Sequence, residues 1–176
     1  MSKVAIQGAA TGTGVFTLAS PATNTDRTLT LPDEAGTIDT LQRAGNVLQV
    51  VQGTTANRTL STTTTYADTG MEAVITPVAS SSKVLLLAYL GQCDKTANDT
   101  QLDLRFTRNG VQIFTASSLN QGLATLLTSN VTLSYLDSPS TVSSITYKVQ
   151  LSNRNAGTVS TNLNGTATII LMEIAA

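Results

Sequence analysis

The stretch QLDLRFTR-NG-VQIFTA, residues 101–116, constrains the fold more than any other. Leu102, Leu104 and Phe106 alternate with Asp103, Arg105 and Thr107, the two-residue period of a strand with an inward and an outward face. Asn109-Gly110 then fits a two-residue hairpin turn, because such a turn needs positive φ at both central positions. A chain built around this hairpin needs further strands to cover its apolar side. They follow at regular spacing: VLQVVQ (47–52), MEAVITP (71–77), KVLLLAYLGQ (83–92), TSNVTLSYLD (128–137), SITYKVQLS (144–152), TVSTN (158–162) and TATIILMEI (166–174). Short strands in this rhythm predict an all-β sandwich or barrel of jelly-roll size. A weak helical period appears only around Leu119–Leu127, and Leu41–Val47 reads as a short turn or linker stopped by Gly45-Asn46.

Two strands break the alternation. VLLLAYL (84–90) and ATIILM (167–172) are apolar on both sides, as in strands covered on both faces. A lone two-sheet sandwich leaves its outer faces wet, so a second subunit is the economical cover. Composition agrees. Charged residues are 12% of the 176-residue chain, hydrophobic residues 41%, and Thr occurs 31 times. Thr is stiff at χ1 and suits pleated surfaces, and it keeps a surface polar without charges that would be costly to bury between subunits.

Residues 1–44 read as a separate part, rich in Gly, Thr and Ala and broken by Pro21 and Pro32. Short β-like pieces fall at Val4–Ile6, Val15–Leu18, Thr28–Leu31 and Thr37–Asp39. Few large apolar side chains are available there, too few for a core of its own without disulfide or metal, so the expectation is a segment intertwined with its copies in neighbouring chains. Residues 45–176 form the second part, the sandwich.

The same properties exclude several functions. A net charge of −1 gives no basic face for nucleic acid or an anionic membrane. No apolar run approaches the ~20 residues of a membrane helix, so no membrane insertion is expected. The chain has no His and a single Cys, Cys93, which rules out a Cys-His or Ser-His nucleophile within one chain and argues against zinc. GAATGTG (8–14) lacks the Lys of a phosphate-binding loop and reads as a Gly-rich entry segment. Glu72 and Asp137 are carboxylates with no visible partner for glycoside cleavage, and the expectation is a protein that is not an enzyme and uses no cofactor. Asp94, Asp99 and Asp103 share one loop-to-strand region without the spacing of a calcium loop, so a solvated loop is the default and calcium an open alternative. The loops Asp94–Thr100, Ser117–Gln121 and Asn153–Gly157 are polar and carry groups that hydrogen-bond sugars. MSKVAIQGAATGTGVF lacks the apolar stretch of a signal peptide, so synthesis in a cytoplasm is expected.

The segment GAATGTGVFTLASPATNTDRTLTLPDEAGTI (8–38) resembles a recurring element of tailed-bacteriophage tail fibre and related virion proteins. The pattern falls on Pro21, Ala22, Thr23, Arg27–Asp33, Gly36, Thr37 and Ile38. YADTGMEAVITP (66–77), SSKVLLLAYL (81–90), the RNG turn (108–110), YLDSPSTVSSITYKVQ (135–150) and LMEI (171–174) resemble the globular heads at the ends of short phage fibres. The resemblance implies a homotrimer located in a virion, with an N-terminal anchor, a displayed jelly-roll-like head, other virion structural proteins as partners, and a host cell-surface glycan as a further partner. A head-decorating or baseplate protein, or a glycan-binding adhesin module, are the alternatives. On this reading Phe16, Leu18, Leu29, Leu31 and Ile38, with Leu86, Tyr89, Ile170 and Met172, pack between subunits, and Val4, Ile6 and Val15 attach to the particle.

Overall fold

The computed structural model describes residues 11–15, 17, 19, 22–26, 28, 43–123, 125–155 and 157–176. The chain divides into two units, 1–37 and 38–176. In the first, the described residues are exposed and form no strand, and Val15 is 88% exposed. The intertwining segment Arg27–Thr40 and the β-like pieces at Val4–Ile6 and Thr28–Leu31 lie, wholly or in most of their residues, outside the described ones.

The second unit is all-β: ten strands in two antiparallel sheets, with no helix among the described residues. The strands are β1 (Val47–Thr55), β2 (Thr59–Ser61), β3 (Ala67–Ile75), β4 (Lys83–Lys95), β5 (Leu102–Arg108), β6 (Val111–Leu119), β7 (Leu127–Asp137), β8 (Ile145–Asn153), β9 (Val159–Thr161) and β10 (Ala167–Ile174). One sheet runs β1-β10-β4-β9-β2, with β7 on the other edge of β4; the second runs β3-β8-β5-β6. Together they make a β-sandwich.

The core is the inward half of each alternation. Val84, Leu86, Leu90, Val131, Leu133, Ile169 and Leu171 face Met71, Ile75, Leu102, Leu104, Phe106, Ile145, Val149 and Leu151. At one side, Phe114 of β6 bridges Phe106 and Tyr135 of β7, with ring centroids 5.9 and 5.4 Å apart, closing the gap between the two edge strands. At the other side β1 crosses so near β3 that a Cβ on Gly53 would sit 1.8 Å from the Glu72 carbonyl oxygen.

The hairpin forms as expected: Asn109 and Gly110 have φ of 49° and 84°. Its tip also ties to β8, since Asn109 N–H donates to Thr146 O and Thr146 N–H donates to Asn109 Oδ1, both at 2.9 Å. The weak helical period near Leu119–Leu127 resolves instead into the end of β6, a loop and the start of β7. Strand β2, being three residues long, carries no periodic signal in the sequence. Asp103 and Thr107 do occupy the outward face of β5, yet both are buried. The strand is central: Asp103 is held by Arg154 and by the Ser118 N–H, and Thr107 lies between Lys148 of β8 and Gln112 of β6 in the register.

Candidate assembly surface

β4 and β10 pair side by side in the middle of their sheet, and the register sets their outer side chains into cross-strand rows. One row reads Val50, Met172, Leu85, Leu136 across β1, β10, β4 and β7. The next reads Gln52, Ile170, Leu87, Ser134, and the third Thr54, Thr168, Tyr89, Thr132. Val50 is 57% exposed, Leu136 46% and Tyr89 44%; Leu85, Leu87, Ile170 and Met172 are half-buried. The three rows hold no ionisable acid or base, apart from the Tyr89 phenol. Lys83 stands one row beyond, beside Ile174 and Val47. Three rows across four strands cover on the order of 400 Å² once side chains are included. Gln52, Ser134 and three threonines take part of that area, and the apolar remainder is of the size that is often functional on a monomer.

The outer face of β3-β8-β5-β6 has the opposite chemistry. Lys148 Nζ reaches Asp68 at 2.8 Å and Glu72 at 3.2 Å. Gln150 Nε2 donates to Asp68 Oδ1, and Arg105 donates to Gln150 Oε1 at 2.7 Å and Gln112 Oε1 at 3.0 Å while its guanidinium lies 4.0 Å over the Tyr66 ring. Lys148, donating first to Asp68 and then to Glu72, is held above the usual lysine range; the same bond, with Gln150, holds Asp68 below the carboxylate range.

Of the residues singled out for packing between subunits, Leu86 points inward and is wholly enclosed by the chain's own core, so it is spent within one chain. Tyr89, Ile170 and Met172 lie together on the outer face. Phe16, Leu18, Leu29, Leu31, Ile38, Val4 and Ile6 fall outside the described residues. Val50, Leu85, Leu87 and Leu136 complete the patch. Val50 and Leu136 escape a sequence reading because β1 and β7 alternate, and only the register brings their outward residues against β10 and β4.

The three polar loops converge at one end of the sandwich. Asn155 Nδ2 donates to Asp99 O at 2.7 Å, Asp99 N–H to Gly122 O at 3.3 Å, and Arg154 to Ser118 Oγ at 3.4 Å. Asp99, Ser118 and Asn120 adopt left-handed φ near 56°, 62° and 55°, conformations that turn the chain back sharply and that non-Gly residues seldom take. The Asp94, Asp99, Asp103 group does not assemble into one donor set. Asp94 accepts from Arg58 at 3.1 Å and from Ser160 Oγ. Asp103 accepts from Arg154 at 2.8 Å and from Ser118 N–H at 2.7 Å. Two of the three carboxylates are thereby engaged by arginines.

Cys93 is buried in the core, and burial pushes its thiol up to about 12, so it carries no thiolate at neutral pH. Glu72 sits on the charged outer face, whereas Asp137 is buried at one end, accepting from Arg108 at 2.9 Å and from Tyr147 Oη at 2.7 Å. Burial first, and the bond to Asp137 second, raise the Tyr147 phenol. The two carboxylates belong to different surfaces and form no acid-base pair.

No family model matches the chain, and no curated protein matches it. Among solved structures it is similar to the infectious bursal disease virus VP2 subviral particle, with 14% identity and a TM-score of 0.42. That likeness covers 72% of this chain and about a third, 32%, of the VP2 chain.

Proposed function

We propose that the chain is a structural, non-enzymatic subunit of a virus particle: a short trimeric tail fibre of a tailed phage, with residues 1–44 as anchor and the sandwich as displayed head. The observation that carries this reading is the uncharged, apolar outer face of the β1-β10-β4-β7 sheet, set against a self-satisfied charged face on the other sheet. Such asymmetry suits a protein that spends one side on assembly. Strand order supports it as well. β1-β10-β4-β7 facing β3-β8-β5-β6 is the pairing expected of an eight-stranded jelly roll, with β2 and β9 as additions, and jelly rolls recur in viral shells. The resemblance of residues 8–38 to phage fibre elements supports a place in a virion, with synthesis in the host cytoplasm as part of the same proposal; a head-decorating or baseplate position uses the same surfaces.

Light scattering of the full chain tests the trimer. Three times the 18.3 kDa chain mass is expected at micromolar concentration, and a clean single-chain mass there ends the assembly reading.

Convergence of three polar, hydrogen-bonding loops at one end favours a second role, contact with a host-surface glycan. Three copies on one particle multiply weak contacts. Binding of the full chain to a glycan array, lost on replacing Asn155 and Asn120 with Ala, is the expected result; a blank array removes this role and leaves the structural one standing.

A further inference from the structure

We propose that the outer face of the β1-β10-β4-β7 sheet is where copies of this chain meet, each face seated against the same face of its neighbours around a shared axis. This rests on the assembly reading above and adds which surface is used. The patch has an apolar centre, Met172, Ile170, Leu85 and Leu87, and a rim of amide and hydroxyl groups such as Gln52 and Ser134. A strongly charged partner finds nothing there to neutralise, which disfavours nucleic acid or an acidic or basic protein surface. The other broad sheet face holds Asp68, Glu72, Lys148 and Arg105 already bonded within the chain, so it does not match either. What matches an uncharged apolar centre with a neutral polar rim is that same face on another copy, which brings no like charges together.

Area decides how much more is needed. About 400 Å² per copy, polar rim included, is at most half of the ~800 Å² per partner of a stable interface. The edge of the sheet supplies the continuation. β1 ends the strand order, and its nine residues, VLQVVQGTT, contain no charge and no proline. Edge strands exposed to water are usually guarded by charge, proline, a bulge or a covering element, and β1 has a register break only at Val47/Gln49 and meets β3 only near Gly53. The part of that edge between the Val47/Gln49 register break and the β3 crossing at Gly53, residues Val50 to Gln52, borders the apolar patch and places the neighbour over both.

The test uses the full chain. Light scattering across a dilution series gives the assembly state, and hydroxyl-radical labelling reports exposure of Met172 and Tyr89. The expected outcome is a multi-chain species in which Met172 labelling rises several-fold as dilution separates the chains. Leu85→Glu should raise the dissociation concentration at least about 100-fold, because it buries a lone charge, while Val74→Lys, on the charged sheet's outer face, should leave it unchanged. Met172 labelled equally in assembled and separated chains overturns the proposal while sparing the assembly reading, and needs no variant to fold. So does a Leu85→Glu protein that keeps its assembled mass. A wild type that stays single-chain, with Met172 shielded at every dilution, overturns both, since the chain's own residues would then cover the face.

Discussion

Two residues carry unusual structural weight, and both make sharp expectations. Gly53 has no space for a side chain: any Cβ meets the Glu72 carbonyl at 1.8 Å, and backbone cannot swing away as a side-chain tip can. Gly53→Ala should therefore push β1 off β3 and lower stability by about 3 kcal/mol in urea unfolding, in the range of severe overpacking. Asp137 is the buried hub of a polar trio, taking bonds from the buried Tyr147 and from Arg108, whose side chain is 33% exposed. Asp137→Ala leaves a guanidinium and a phenol without their acceptor, and a loss of about 3 kcal/mol is expected by the same measurement. Tyr147→Phe, which removes one donor and keeps the ring, should cost only about 1 kcal/mol. Neither role was legible in the sequence. Gly53 looks like any strand glycine until the second sheet passes over it, and Asp137 looks like a loop-end carboxylate until Arg108 arrives from another hairpin.

At the scale of elements, the end of β10 sets an acid limit. Glu173 is enclosed at the sandwich edge, where Gln49 Nε2 donates to it at 2.5 Å and Val78 N–H at 2.8 Å. Burial opposes its ionisation, but those donors outweigh it and hold the carboxyl below its usual 4.5. A depressed carboxyl adds stability that is complete above the unfolded value and is lost as pH falls through the folded one. Stability of the wild type should thus decline below about pH 4.5 more steeply than that of Glu173→Gln, measured as urea midpoints from pH 7 to 3. The elements themselves were largely readable. The alternation of Leu102, Leu104 and Phe106 and of Ile145, Tyr147, Val149 and Leu151 put those residues inside, because a half-wet strand writes its two faces into its sequence. The two-sided runs at 84–90 and 167–172 likewise became neighbouring central strands with apolar outer rows. What escaped was anything set by register between distant strands: the pairing order, strand β2, and the burial of Asp103 and Thr107 under side chains from elsewhere.

For the whole molecule, the two outer faces predict how the proposed assembly should respond to solvent. An interface without charges should be nearly indifferent to ionic strength between 0.05 and 0.5 M, roughly the range over which surface ion pairs are screened away. It should loosen on cooling, because apolar association weakens at low temperature. Light scattering along both axes checks this; dissociation by salt alone would point to the Lys148 face instead. Finally, β4 breaks its register between Leu90 and Cys93, and there its edge passes from β10 to β9, with Asp94 and Lys95 as the paired residues and Asn162 and Leu163 N–H donating to Gly91 and Gln92 O across the break. A seam of this kind acts as a fuse. The loop-bearing end can unlatch and relatch, with amide exchange faster at Asp94 and Lys95 than at Leu86 and Ala88, while the half that carries the apolar rows stays zipped.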